Sequence, residues 1–145
     1  MKPQFLALIT AIAWGVGGFF EKRGLNAGNL TPQVGITIRT AIAFLILGTV
    51  SFPQWKSIPA AGTKPLLMMV IGGGIIAGAV GMLSFYAALK GADRLTQVMP
   101  IAFTSPFFSA ITALIFRTER MTWQTALGMV LTIAGIAVLT TAPSH

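Results

Sequence analysis

The chain has 145 residues, 54% hydrophobic and only 9% charged, with a mean hydropathy of +0.80. A soluble domain carries about 25% charged residues, so this is the composition of an integral membrane protein. The formal net charge is +7, but the ten basic residues stand in short clusters at the ends of apolar runs. That placement anchors helix ends at lipid headgroups and argues against a nucleic-acid partner. With no cysteine, disulfides and thiolate metal sites are excluded. A single histidine, His145, and three acids leave no basis for a metal centre or hydrolytic chemistry, and no cofactor is expected.

Lys2 precedes an apolar run from Phe5 to Phe20. A positive start before an apolar stretch is also how a signal peptide begins, and Ala11-Ile12-Ala13 resembles a cleavage site. The run continues past it, through Trp14, to the charged cluster Glu21, Lys22, Arg23, which suits a first transmembrane helix. Gly15, Gly17 and Gly18 let neighbouring backbones approach its second half. Trp14 lies mid-helix, away from the interfaces where Trp usually sits, which marks it as a candidate cavity residue.

Gly24 to Gln33 reads as a turn region, rich in Gly, Asn and Pro. A second helix is expected from about 33 to 52. Arg39 lies inside it, about a turn and a half from its start. There it must snorkel to the headgroups or face a polar partner, and it is expected to point toward the loop holding Glu21 or toward an interhelical polar partner, not toward lipid. A polar connection runs from Pro53 to Pro65, and a third helix is expected from about 66 to 89. Its glycines are dense, and Gly74-x-x-x-Gly78 is a short, common close-packing motif. Three consecutive glycines, Gly72 to Gly74, also loosen it, so this segment reads as a packing face able to hinge. Ser84 and Tyr86 are its prominent polar groups.

From Leu95 to Phe116 there is no ionisable residue, yet the segment holds Pro100, Pro106, Thr104 and Ser105. Proline inside a helix frees a carbonyl about a turn earlier, and in lipid that carbonyl needs another partner. Two readings follow: a nearby hydroxyl satisfies the kink, or the break lines a solute site, as in transporters. The bend is expected near Ala102 or Phe103. A fifth helix is expected from 122 to 139. The fold class is therefore all-α: a bundle of about five transmembrane helices in one domain, residues 1–145.

These residues resemble one EamA domain of the drug/metabolite transporter superfamily. The likeness rests on Ala13-Trp14-Gly15, on Arg39, and on Phe85-Tyr86-Ala87-Ala88-Leu89-Lys90. It is strongest where Pro106 is followed by Glu119-Arg120, Gly128 and Ala134-Gly135. Most members carry two such domains as an inverted repeat, so the chain is similar to the half-size members, which are expected to work as dimers. It also looks related to the small multidrug resistance proteins, whose first helix carries a proton-exchanging glutamate. Here that helix has no acid between Lys2 and Glu21, which argues against that mechanism.

The resemblance implies a secondary transporter of small metabolites or drug-like solutes in the cytoplasmic membrane. Its partners would be a second copy of itself, membrane lipid and a small-molecule solute. Trp14, Tyr86, Thr104, Ser105 and Pro106 would line the site, with Arg39 at its edge. Such a lining suits neutral, zwitterionic or moderately amphipathic solutes. The competing reading is an accessory membrane subunit, such as half of a lipid-carrier flippase. An enzyme is not expected, because the helices hold no paired acids, no Ser with a base and no His ligands.

Overall fold

The computed structural model describes residues 2–118 and 121–141. Among these the chain is helical, with no strand. Its α-helices are α1 (Pro3–Ala27), α2 (Pro32–Ser51), α3 (Thr63–Met68), α4 (Met82–Gly91), α5 (Leu95–Ala102), α6 (Ser105–Ile115) and α7 (Trp123–Thr141). A π-helical stretch, Met69–Gly81, joins α3 to α4, and short 3-10 turns occupy Phe52–Ser57 and Pro59–Ala61. Five segments are long and apolar enough to cross a bilayer: Pro3–Ala27, Pro32–Ser57, Thr63–Gly91, Leu95–Ile115 and Trp123–Thr141. The five-helix, all-α membrane architecture expected from the sequence is the one observed.

The helix ends follow local chemistry. Thr31 caps α2, its hydroxyl accepting the Val34 N–H at 3.4 Å, with Pro32 opening the helix where its missing N–H costs nothing. The first helix outlasts the expected boundary. It runs through Gly24 to Ala27 and stops at Asn29, which has φ 46°. There Leu30 N–H donates to Leu25 C=O at 2.9 Å and Asn29 N–H to Asn26 C=O at 3.2 Å. That is a Schellman cap, and Asn is one of the few residues that enters the left-handed region readily. A lone Gly24 weakens the helix without ending it. The same cap closes α6: Thr118 N–H reaches Ala113 C=O at 2.9 Å and Arg117 N–H reaches Leu114 C=O at 3.0 Å. Here an arginine, Arg117, takes the left-handed position with φ 53°.

The third span also departs from expectation. In place of one α-helix from 66 to 89, its middle is wound as a π-helix, a form otherwise seen mostly as single-turn bulges. Gly78 permits it: a Cβ there would stand 2.8 Å from the Gly73 carbonyl oxygen, too close for any side chain.

Contacts group the chain into two compact units: residues 1–18 with 92–145, and residues 19–91. In the first, the early part of α1 meets α5. Gly18 admits Met99, whose Cε would lie 3.0 Å from an added Cβ, and one turn away the Trp14 and Phe103 rings are 6.1 Å apart. Gly18 lies after Trp14, and Met99 before Phe103, so the two helices run antiparallel. In the second unit the buried residues are Leu25, Ile36, Tyr86 and Leu89. Most other large apolar side chains are exposed. In a bilayer that is no deficit, since lipid is as apolar as a core and helices associate by close packing and polar links.

Polar links hold the second unit. Lys22 Nζ donates to the Leu89 carbonyl at 3.0 Å, and Lys90 Nζ donates to the Leu25 carbonyl and to Asn29 Oδ1, both at 3.2 Å. Each lysine thus caps the last turn of the other's helix, where carbonyls lack helical partners. This reciprocal tie is a partner for the two lysines that the sequence reading did not identify. It brings the C-terminal ends of α1 and α4 together.

Candidate functional site

The fourth span is broken as its prolines imply. α5 ends at Ala102, Phe103 and Thr104 form the turn, and α6 starts at Ser105. Pro106 lies in the first turn of α6, where no intrahelical N–H is needed. The break is a clean stop and restart, not a strained kink. Ile101 C=O, left near the break, accepts both the Thr104 N–H at 3.0 Å and the Thr104 hydroxyl at 2.7 Å. A hydroxyl therefore does satisfy the backbone here.

A groove of about 280 Å³ opens beside the same turn. Phe103, Thr104, Pro106 and Phe107 form one wall; Thr125, Gly128, Met129, Thr132 and Ile133 of α7 form the other. Thr132 commits its hydroxyl proton to Gly128 C=O at 2.8 Å, and Thr122 and Thr125 share a hydroxyl bond of 2.8 Å. The lining carries no ionisable residue. With the Thr104 and Thr132 protons engaged, those two hydroxyls face a guest as acceptors. The groove is built for an apolar or weakly polar body. Thr125, Gly128 and Thr132 recur at one helical face of α7, a spacing visible in the sequence but not singled out there.

Of the residues expected at a site, Thr104 and Pro106 line this groove, and Ser105 stands between them as the first residue of α6. Trp14 belongs to the same unit, 55% exposed and beside Phe103. Arg39 and Tyr86 belong to the second unit. Arg39 Nε lies 2.9 Å from Glu21 Oε1, so it faces the expected partner. Tyr86 is 2% exposed and packs over Gly35, within interaction range of Glu21 and Arg39. It belongs to the buried core of its unit. Arg39 also borders a second groove of about 930 Å³, between α2 and the π-helical stretch. Glu119 and Arg120, part of the likeness drawn from the sequence, lie outside the described residues.

A broken, hydroxyl-bearing span in a five-helix membrane protein agrees with what a family comparison finds. The model of the EamA-like transporter family matches residues 1–141. The chain belongs to that family. It is accordingly a multi-pass membrane protein of the drug/metabolite transporter type, and the family is one of transporters rather than enzymes. A similar curated protein is the uncharacterized protein MJ1333.1 of Methanocaldococcus jannaschii, 28% identical over 135 residues, covering 92% of this chain and 93% of that one. No solved structure matches the chain.

Proposed function

We propose that the protein is a secondary transporter that exports small metabolites or drug-like solutes across the cytoplasmic membrane, working as a homodimer by alternating access. The observation that carries this reading is the break at Phe103–Thr104. It places a groove of about 280 Å³, lined by Thr104 and Pro106, inside a segment otherwise able to span the bilayer. Interrupted helices of this kind are where transporters bind solute, and a two-part helix can gate by moving one half against the other. The lining suits a neutral or amphipathic solute. Two copies are invoked because the family resemblance implies that half-size members pair, and because the spans leave most of their apolar residues exposed for lipid or a second copy.

Reconstitution into liposomes with a solute-library flux screen tests the proposal. The expected result is saturable flux of at least one neutral or amphipathic solute, slowed by Pro106→Ala while dimers persist on crosslinking. Flux no greater than through empty liposomes, for every solute in the library, would overturn it.

A further inference from the structure

The groove at the break of the fourth span has a polarity set by its own hydrogen bonds. Thr104 and Thr132, on opposite walls, each donate the hydroxyl proton to a backbone carbonyl, at 2.7 Å and 2.8 Å. A carbonyl oxygen only accepts, so both protons are committed and both hydroxyl oxygens keep lone pairs for a guest. Thr125 is engaged with Thr122, hydroxyl to hydroxyl, at 2.8 Å. The backbone donors are taken as well. The N–H groups of Phe103, Thr104, Phe107 and Thr125 all have acceptors within the chain, and Pro106 has no N–H. The α7 wall from Gly128 to Ile133 lies inside a continuous helix, where each N–H is paired four residues back. The groove is therefore rich in acceptors and poor in donors, and no described lining residue is ionisable. Phe103, Phe107, Met129 and Ile133 make the rest of it apolar.

We infer that this groove takes an uncharged aromatic body of one or two rings carrying an O–H or N–H donor: a phenol, an aromatic alcohol or an indole. Volume sets the size. A cavity of about 150 Å³ takes one benzene ring, and this groove offers about 280 Å³. The lining excludes charge of either sign. A carboxylate there meets no cation and few donors. An ammonium meets hydroxyl oxygens but no carboxylate to balance it. Burying an unpaired charge costs far more than one hydrogen bond returns. A neutral O–H or N–H is instead matched by the oxygen of Thr104 or Thr132. The Phe103 and Phe107 rings and the Met129 thioether then meet the ring of the guest. The inference deepens the transporter reading and rests on it for biological sense, but binding can be measured without flux.

Displacement of tritiated indole from the full chain in nanodiscs, with the signal of empty nanodiscs subtracted, tests it. 1-Methylindole lacks the donor, whereas 3-methylindole adds the same methyl group and keeps the N–H. Indole and 3-methylindole are expected to bind about fivefold or more tightly than 1-methylindole. Partition into lipid works against that order, because the methyl group makes 1-methylindole more apolar than indole. Indole-3-acetate and tryptamine, each with one charge, are expected not to compete. Thr132→Val should shrink the preference for indole over 1-methylindole, and Thr104→Val with Thr132→Val should abolish it. Retained binding of 1-methylindole would show those grooves intact, and Thr132→Ser should keep the preference. A Cβ added at Gly128 meets nothing within 4 Å, so Gly128→Leu has room to fill the groove. It should lose indole binding with far-UV circular dichroism unchanged. Equal binding of indole and 1-methylindole, competition by a charged analogue as strong as by indole, or full indole binding in Gly128→Leu overturns the inference. Donor discrimination with no saturable flux of any solute overturns the transporter reading and leaves this one standing. Saturable flux without donor discrimination does the reverse.

Discussion

Arg39 on α2 reaches back to Glu21 on α1, Nε to Oε1 at 2.9 Å, one helical turn from the place where Gly35 of α2 meets Leu25 of α1. The two contacts share one antiparallel register. Charge pairing and close packing therefore hold the same helix pair, and each can be tested separately.

Arg39→Leu removes the ion-pair partner of Glu21 and should lower stability by about 1–2 kcal/mol, below the range for a fully buried pair because Arg39 is 37% exposed. Arg39→Lys keeps the charge and should fall between wild type and Leu, having lost the planar fork. Unfolding in mixed detergent micelles reads both. Identical losses for Lys and Leu would show that charge at position 39 contributes nothing.

Gly35→Ala should cost more than most membrane-helix alanines gain. Its Cβ would stand 2.5 Å from Leu25 Cδ2 and 3.1 Å from two ring atoms of Tyr86, which is buried. Overpacking of this kind costs about 1–3 kcal/mol. The same unfolding assay, with Gly15→Ala as a control whose Cβ meets nothing within 4 Å, checks it.

Arg117 holds the left-handed position of the α6 cap, φ 53°, where glycine would carry no steric penalty. Arg117→Gly should raise stability by about 1 kcal/mol. A thermal-unfolding midpoint at or below wild type would show that the arginine side chain stabilises the cap by other contacts.

At the break, Thr104→Val removes the hydroxyl that Ile101 C=O accepts at 2.7 Å, leaving that carbonyl to backbone N–H donors. A loss of about 1 kcal/mol is expected. Pro106→Ala removes no hydrogen bond, so stability should change little, and any slowing of transport then reports the shape of the turn. Unchanged transport kinetics for Pro106→Ala would reduce the break to packing.

If all five candidate spans cross, Lys2 and the C-terminal end are expected on opposite sides of the membrane. On that topology the N-terminal side would carry Lys2, Lys56, Lys64, Arg117 and Arg120, and the other Lys22, Arg23, Lys90 and Arg94, with Arg39 nearest to it. With five basic residues against five, the bias that orients membrane proteins is nearly absent. Copies should insert both ways and pair antiparallel. Reporter fusions at the C-terminus should show both orientations, and one or two added lysines in a loop should tip the balance. A C-terminus found on one side only, with parallel crosslinks, would sink this expectation.

The sequence by itself determined the number of spans, their order and the place of the break. Apolar run length, flanking charge and proline position act within a single span and need no tertiary partner. That Arg39 turns from lipid toward the end of the first span was partly legible, because a charge at that depth must reach headgroups or a polar group; that the group is Glu21 came from the packing. Tertiary structure decided the rest. That Lys22 and Lys90 cap each other's helices depends on which helix ends meet. That Tyr86 is core while Thr125 and Thr132 of α7 line a groove depends on which faces pack, and in an all-apolar helix hydrophobic patterning carries no record of that. The π-helical winding of Met69–Gly81 lay equally out of reach. Its glycines signal only that the backbone can approach or loosen, and the choice between the two is made by the neighbours it packs against.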